Sequence, residues 1–212
     1  GRDCTVSFKR FDNYVESFDK HNSGGKADHM KVAGRIKNEI TIHSGYSVSI
    51  DTIGEGAGVY SRAVEICQES NGKLDEETII SCKYSEGAKT SSGKDLTDIT
   101  GQYTFANMRE YLFWAVRDWL NPDNNTGAML PPGGSFMEEA TEIKWSFLSN
   151  GKIIIEPKED IKERLGHSID EFDALANTFH PKAVEMTGVN ALPNYGDEDI
   201  DDILYYCLLY TS

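Results

Sequence analysis

An acidic residue stands at the end of a short apolar stretch and leads directly into a glycine-rich turn. The stretch is Tyr46-Ser47-Val48-Ser49-Ile50, the acid is Asp51, and the turn is Thr52-Ile53-Gly54-Glu55-Gly56-Ala57-Gly58. A carboxylate at the end of a buried strand costs free energy unless a cation or hydrogen-bond donors receive it. The glycines that follow let other groups approach the backbone closely. These residue types in this order indicate a site.

Three interpretations of Asp51 stay open from the residues alone. Its carboxylate could cap the turn that follows, it could ligate a metal ion, or the glycines could cradle a phosphate. The spacing Gly54-x-Gly56-x-Gly58 is not G-x-G-x-x-G, and no G-K-[ST] follows, so the match to a phosphate loop is weak. Asp51 would also repel a pyrophosphate placed on those amides. Metal ligation gains weight if a second acid is available elsewhere in the chain.

The second acid lies on the last predicted helix. Ser168 and Glu171 have the spacing of a capping box, which predicts that this helix begins at Ser168. Asp170 falls in the first turn, on the solvent side, where the helix dipole accounts for an acid. Asp173 falls at the edge of the apolar arc and lacks such an explanation, so it could be a metal ligand, a buried salt-bridge partner or an exposed edge residue. The apolar arc consists of Phe172, Leu175, Ala176 and Phe179.

Alternating elements must position these acids. Apolar patterning predicts strands over residues 4–11, 14–19, 48–51 and 78–84, and helices over about 27–42, 59–69 and 105–120. Further along, Asn150-Gly151 is a preferred hairpin turn between residues 143–148 and 152–156, and Gly166 is a natural end for a short helix. A hairpin followed by helix, strand, helix, strand and helix predicts an α/β domain with a mixed sheet.

Composition narrows the classes of function. The chain has 212 residues, a formal net charge of −14, 4 Cys and 5 His. Neither the cysteines nor the histidines have metal-ligand spacing, so buried free thiols are the better interpretation. The acidity argues against broad affinity for the DNA backbone unless metal ions or a basic partner assist. No apolar run is long enough to cross a membrane.

The chain divides at about residue 182 in this interpretation. Residues 1–182 are predicted to form one domain, and residues 183–212 an acidic C-terminal tail without Lys or Arg. The last residues, 206–212, are apolar after the acidic run and have the character of a translated cloning or sequencing scar. We therefore expect them to lie outside the fold.

Three segments together resemble the nuclease domain of the large terminase subunit of tailed bacteriophages. Residues 50–58 look like its second acidic motif, residues 105–114 resemble its Asn-x-Arg…Trp helix, and residues 158–175 are similar to its third acidic motif. The matches occur in the family's order and spacing and span most of residues 1–180.

The resemblance implies an RNase H-like fold, in which helices flank a mixed central sheet. It implies that Asp51 and Asp173 are catalytic metal ligands for two Mg²⁺ or Mn²⁺ ions, with Asp170 as a less favoured ligand. The family's first acid lies on a first strand that this sequence lacks, and Asp3 is a poor substitute for it. Lys83 and Arg109 are candidate DNA-binding residues, although each could instead be an ordinary surface or helix residue.

The implied activity is endonucleolytic cutting of concatemeric viral DNA by two-metal phosphodiester hydrolysis. The implied partners are double-stranded DNA, an upstream ATPase domain of the same protein, the portal and the small terminase subunit. The implied location is the cytoplasm of the infected bacterial host, and no membrane is involved. The alternatives are another RNase H-like nuclease, such as a resolvase, and a catalytically inert α/β module that binds a partner protein.

Overall fold

The computed structural model describes residues 4–16, 19–22, 28–43, 46–183 and 204–210. Its main sheet begins with β1 (Cys4–Phe11), which turns back at Asp12 and Asn13. Asp12 adopts φ +45°, which suits the tight turn predicted there. The return is made by β2 (Tyr14–Val15) and β3 (Asp19–Asn22), which both pair antiparallel with β1 at opposite ends of that strand.

The other half of the sheet carries the predicted acid. β4 (Ser47–Asp51) and β5 (Ile79–Cys82) are parallel, and Asp51 is paired with Cys82. Every residue of β4 is buried because helices cover both faces of the sheet. Side chains alternate along a strand, so Val48 and Ile50 face one layer while Asp51 faces the other.

Between these halves lies β8 (Leu204–Tyr210), which is antiparallel to β1 and parallel to β4. The order of the sheet is therefore β2-β1-β8-β4-β5, with β3 also on β1. The pairing of residues 204–210 corrects the expectation that the last residues of the chain, 206–212, lie outside the fold. The physical reason is that Leu204–Tyr210 are uncharged, apolar or aromatic residues, which suit a central strand better than a solvated tail.

Two helices cover one face of the sheet. α1 (His29–Ile42) and α2 (Gly56–Glu69) pack on β4 and β5. The apolar spacing predicted both helices, although α2 begins three residues earlier than the expected start at Val59. The buried residues of their shared core are Val32, Ile36, Tyr46, Val48, Ile50, Val59, Ala63, Cys67 and Ile79.

The opposite face is covered by α3 (Met108–Leu120) and α6 (Asp170–Asn177). Trp114 and Phe113 of α3 are buried in this larger core, as their apolar neighbours predicted. Between α3 and α6 the chain forms α4 (Phe136–Glu142), the hairpin β6 (Trp145–Phe147) and β7 (Ile153–Ile155), and α5 (Lys158–Leu165). The Asn150-Gly151 turn and the helix end at Gly166, with φ +79°, are confirmed.

A buried arginine fixes the end of α6 on β1. Arg10 is 1% exposed, and its Nε donates to Thr178 Oγ1 at 2.8 Å while Nη2 donates to Thr178 O at 3.0 Å. Its guanidinium also lies 4.0 Å from the centre of the Phe179 ring. These contacts hold the helix that carries Asp173 against the sheet that carries Asp51.

The architecture is an α/β fold of the RNase H-like class, with a mixed sheet between helical layers. Cys67 and Cys82 are buried free thiols, as predicted. Within the described ranges, no helix is both long enough and apolar enough to cross a membrane.

Candidate active site

Asp51 is the last residue of β4 and is 8% exposed. Its Oδ1 accepts a hydrogen bond from the backbone N–H of Ile53 at 3.0 Å, so one oxygen caps the turn that follows. Burial raises the pKa of the Asp51 carboxyl; the Ile53 N–H and the Lys158 ammonium lower it, and the charge of Asp173 raises it. Asp51 thus caps a turn and also faces charged groups from other elements.

The glycines after Asp51 are required by packing. A Cβ on Gly56 would lie 1.8 Å from the backbone oxygen of Asp51, and one on Gly58 would lie 2.7 Å from Nδ1 of His29. Gly54 has φ +72°, a conformation that glycine adopts without strain. Close packing of α2 against the strand end and against α1 therefore accounts for the glycine pattern.

Asp173 is 2% exposed on α6 and forms an ion pair with a lysine from α5. Nζ of Lys158 lies 2.6 Å from Asp173 Oδ2 and 4.9 Å from the centre of the Tyr84 ring. The Tyr84 hydroxyl donates to the backbone oxygen of Asp173 at 3.2 Å. Oδ1 of Asp173 is buried and has no hydrogen-bond partner among the described residues. Among the described residues, one oxygen of this carboxylate is thus paired and the other is not.

Asp170 is the first residue of α6, and the charge of Asp173 acts on it. Its pKa is raised by burial and by the charge of Asp173, and its Oδ1 is buried without a partner in the described part of the chain. The expectation that Asp170 points away into solvent is therefore wrong. The start of α6 packs against neighbouring elements, and this packing buries part of the Asp170 side chain although its angular position on the helix suggested exposure.

The predicted capping box is also wrong. The helix is capped at Ile169 without a side-chain hydrogen bond, one residue later than predicted. Glu171 is turned inward instead, where its Oε2 accepts from the backbone N–H of Ser135 at 2.7 Å and its Oε1 from Lys20 at 3.4 Å. Glu171 therefore bonds to Ser135 and Lys20, which are distant in sequence, and does not form the predicted local cap with Ser168.

The three aspartates line one open cavity of about 580 Å³. α3 contributes the far wall, where Asn107 caps the helix by accepting from the N–H of Arg109 at 3.0 Å. The polar residues that line the cavity are Asp51, Ser85, Asn107, Arg109, Glu110, Lys158, Glu159, Lys162, Ser168, Asp170 and Asp173. The sequence thus led to four members of the cavity that were named as site residues, namely Asp51, Arg109, Asp170 and Asp173.

Four charged residues that line the cavity were not predicted as site residues: Glu110, Lys158, Glu159 and Lys162. Lys158 follows Pro157 at the start of α5, and Glu110 is 2% exposed in the first turn of α3. Burial raises the pKa of Glu110. Neither had a sequence signal of its own, because a lysine or glutamate in the first turn of a helix is ordinary. Lys83, by contrast, is exposed, lies 3.5 Å from Glu86, and does not line the cavity.

The donor set consists of carboxylate oxygens, which are the ligands that Mg²⁺ and Mn²⁺ prefer. Buried Oδ1 atoms of Asp170 and Asp173 lack partners among the described residues, so the donors fit a hard divalent cation. Within the same residues, however, no group of three or more His, Cys, Asp or Glu side chains is arranged to hold one ion together. The Lys158 ammonium is the cation nearest to Asp173 that the structure records.

Comparison of whole folds identifies solved structures with this architecture. The chain is similar to the nuclease domain of the large terminase subunit gp2 of bacterial virus Sf6, with 19% identity and a TM-score of 0.57 over 83% of this chain and 81% of that one. A variant of that subunit with calcium gives 20% identity and a TM-score of 0.58 over 83% and 82%. A variant of its nuclease domain with manganese and β-thujaplicinol gives 21% identity and a TM-score of 0.56, over 83% of this chain and 81% of that one.

Sequence comparison alone finds no such relation. No family model matches the chain, and no curated protein has a matching sequence. At this level of identity the similarity shows the fold, and the residues of the site must carry any statement about function.

Proposed function

We propose that this chain is a metal-dependent DNA endonuclease that cuts concatemeric viral DNA during genome packaging. The observation that carries the proposal is the meeting of Asp51, Asp170 and Asp173 in one cavity. They come from a strand end and a helix that are far apart in sequence, in a fold that it shares with solved terminase nuclease domains. Burial raises the pKa of the Asp51 and Asp170 carboxyls, and the charge of Asp173 raises both further, which is a cost that a bound cation would remove.

In this proposal Asp51 and Asp173 hold Mg²⁺ or Mn²⁺, and Asp170 assists them. The ions, when bound, activate a water molecule and stabilise the leaving oxygen of the phosphodiester. Asp51 keeps one oxygen on the Ile53 N–H, which fixes the direction of its carboxylate. The Tyr84 hydroxyl fixes the backbone of Asp173 in the same manner.

Lys158 has a separate role in this scheme. Its ammonium neutralises Asp173 while no metal is bound, which limits the cost of burying that carboxylate. Metal binding to Asp173 must compete with this ion pair. We therefore expect weak metal affinity for the isolated chain and a strong dependence of cleavage on metal concentration.

The wider assignment follows the resemblance of the sequence motifs to the large terminase subunit. We propose double-stranded DNA as the substrate, an ATPase domain upstream in the same protein, and the portal and small terminase subunit as partners. The place of action would be the cytoplasm of the infected host. Because the net charge is −14, DNA affinity must come from the metal ions, a few cavity cations and other parts of the packaging machine.

A plasmid-nicking assay in Mn²⁺ tests the proposal. We expect Asp51→Asn and Asp173→Asn each to reduce cleavage at least about 100-fold, since each removes a ligand of the reacting centre. The exposed Asp95, which pairs with Lys89 at the surface, supplies the matched control Asp95→Asn. Cleavage that survives in both site variants would refute the assignment and favour the inert, partner-binding alternative.

A further inference from the structure

Arg109 is held at the cavity wall by one edge of its guanidinium. Its Nη1 donates to the backbone oxygen of Glu156 at 3.0 Å, and the guanidinium lies 4.7 Å from the centre of the Phe113 ring. Its side chain is only 12% exposed. These contacts fix the orientation of the group and use only one of its three nitrogens.

The other two nitrogens are buried and unused. Nε and Nη2 of Arg109 have no hydrogen-bond partner in the described part of the chain. The carboxylate of Glu110 does not supply this partner. Its Oε1 lies 3.8 Å from Nη1, which is beyond hydrogen-bond length, and Nη1 is already bonded to Glu156. Buried N–H groups are almost always paired in folded proteins, and a guanidinium does not lose its proton. The Nε–Nη2 edge therefore calls for an acceptor that the described residues do not supply.

The chemistry of that acceptor follows from the group and from its surroundings. The Nε–Nη2 edge presents two parallel N–H donors, a geometry that matches two oxygens of a phosphate or a carboxylate. The same cavity holds carboxylate oxygens on Asp170 and Asp173 that have no partner within the described ranges, and these call for a cation. A phosphate accompanied by a divalent cation satisfies both kinds of group at once, whereas a carboxylate ligand would add to the acids already present.

We propose that Nε and Nη2 of Arg109 bind one phosphodiester group of the DNA strand in the cavity. This inference rests on the proposed nuclease function and assigns Arg109 as a positioning residue for the cleaved strand. The competing explanation is purely structural, in which Arg109 only ties α3 to the chain segment that follows β7. That explanation accounts for the bond to Glu156 but leaves the buried Nε and Nη2 without a role.

Three variants separate the two explanations. Arg109→Gln removes the charge and the fork, and Arg109→Lys keeps the charge but loses the paired donors. Arg35→Gln removes an arginine charge from the exposed ion pair with Asp19 on another face and is the matched control. Thermal unfolding of each variant checks that the fold persists. The assays are cleavage in Mn²⁺ and anisotropy of a labelled DNA duplex in Ca²⁺ over a series of NaCl concentrations.

We expect Arg109→Gln to lower kcat by about 10- to 100-fold, the effect of losing charge-assisted hydrogen bonds. It should also reduce the slope of log Kd against log[NaCl] by about 0.9, the loss of one phosphate contact. Arg109→Lys should restore most of the slope but not the cleavage rate. Arg35→Gln should change neither quantity.

The proposal fails if folded Arg109→Gln matches Arg35→Gln in both the slope and kcat. It also fails if inorganic phosphate stabilises the wild type, but not Arg109→Gln, against heat while the DNA slope is unchanged, because the group would then be a site for free phosphate. If Arg109→Gln unfolds, Arg109→Lys decides: a wild-type cleavage rate in that variant overturns the proposal. Failure of the nuclease function itself is separate, because it would appear as cleavage that is unaffected by Asp51→Asn.

Discussion

Glu139 is the buried acid whose replacement should change stability most clearly with pH. It is fully buried on α4, where its Oε1 accepts from Ser135 Oγ at 2.6 Å and its Oε2 accepts from the N–H of Phe172 at 2.8 Å. Burial, followed by the charges of Glu171 and Asp170, raises its pKa to about 7 against an ordinary value of 4.5; the two hydrogen bonds act in the opposite direction. Glu139 thus holds the start of α6, but its ionisation near neutral pH costs folding free energy because the side chain is buried.

The sign and size of the effect follow from the shift in pKa. A carboxyl whose folded pKa is raised is most favourable to folding when protonated, so stability is lost as the pH rises from 4.5 to about 7. A shift of this size corresponds to about 3 kcal/mol at pH values above the folded pKa. Glu139→Gln removes the charge, and an amide can accept from Phe172 and donate to Ser135. We therefore expect the variant to match the wild type near pH 4.5 and to exceed it by up to about 3 kcal/mol near pH 8.

Urea unfolding across this pH range measures the difference directly. In thermal unfolding the gain near pH 8 should appear as a rise in Tm of roughly 6–12 °C for a domain of this size. Glu163→Gln, at an exposed position of α5, is the control and should shift the curve little at any pH. If the titration of other groups caused the pH dependence, the stability of Glu139→Gln and of Glu163→Gln would change with pH in the same way. If Glu139→Gln has the same pH dependence as the wild type, the assignment of a charged, buried Glu139 is refuted.

Three further changes probe the elements that hold the site. Lys158→Met leaves Asp173 without its cation, so we expect a loss of about 1–3 kcal/mol without metal and a larger rise in Tm on adding Mn²⁺ than in the wild type. Gly56→Ala places a Cβ 1.8 Å from the Asp51 oxygen, so it should lower Tm and cleavage, whereas Gly34→Ala, with open space around it, should be neutral or stabilising. Arg10→Leu should cost about 3 kcal/mol in urea unfolding, because it removes charge-assisted bonds to the end of α6; unchanged stability would show that these bonds do not hold the helix.

Local patterns predicted the elements that depend on local energetics. The hairpin at Asn150-Gly151, the helix end at Gly166 and the amphipathic α3 all appear at or near the expected residues. Each is specified by turn chemistry or by apolar periodicity within the element itself. The strand end at Asp51 was likewise visible, because an acid after a buried run is unusual wherever the strand is placed.

The errors arose where a distant partner decides the outcome. Glu171 has the spacing of a cap, yet Ser135 and Lys20 receive it, and both lie far away in sequence. The apolar run at Leu204–Tyr210 gave no indication of which strands would flank it. Lys158 and Glu110 belong to the site only because α5 and α3 begin at the same cavity. Such pairings are set by tertiary packing, which single-sequence periodicity does not contain.

The site depends on how α6 is docked, because β8 contributes no acid to it. Leu204–Tyr210 contain no Asp or Glu, and the three aspartates of the site come from the end of β4 and from the first turn of α6. Three contacts hold α6 from different sides: Glu139 at the N–H of Phe172, Tyr84 at the oxygen of Asp173, and Arg10 at Thr178.

These contacts couple stability to the proposed chemistry. Ionisation of Glu139 adds negative charge beside Asp170 and Glu171 and weakens the docking of the same helix turn that presents Asp173. A divalent cation on the aspartates would oppose that repulsion. Metal binding and the folded position of α6 should therefore reinforce each other, and the gain in stability on adding Mn²⁺ should be larger above pH 7 than below it.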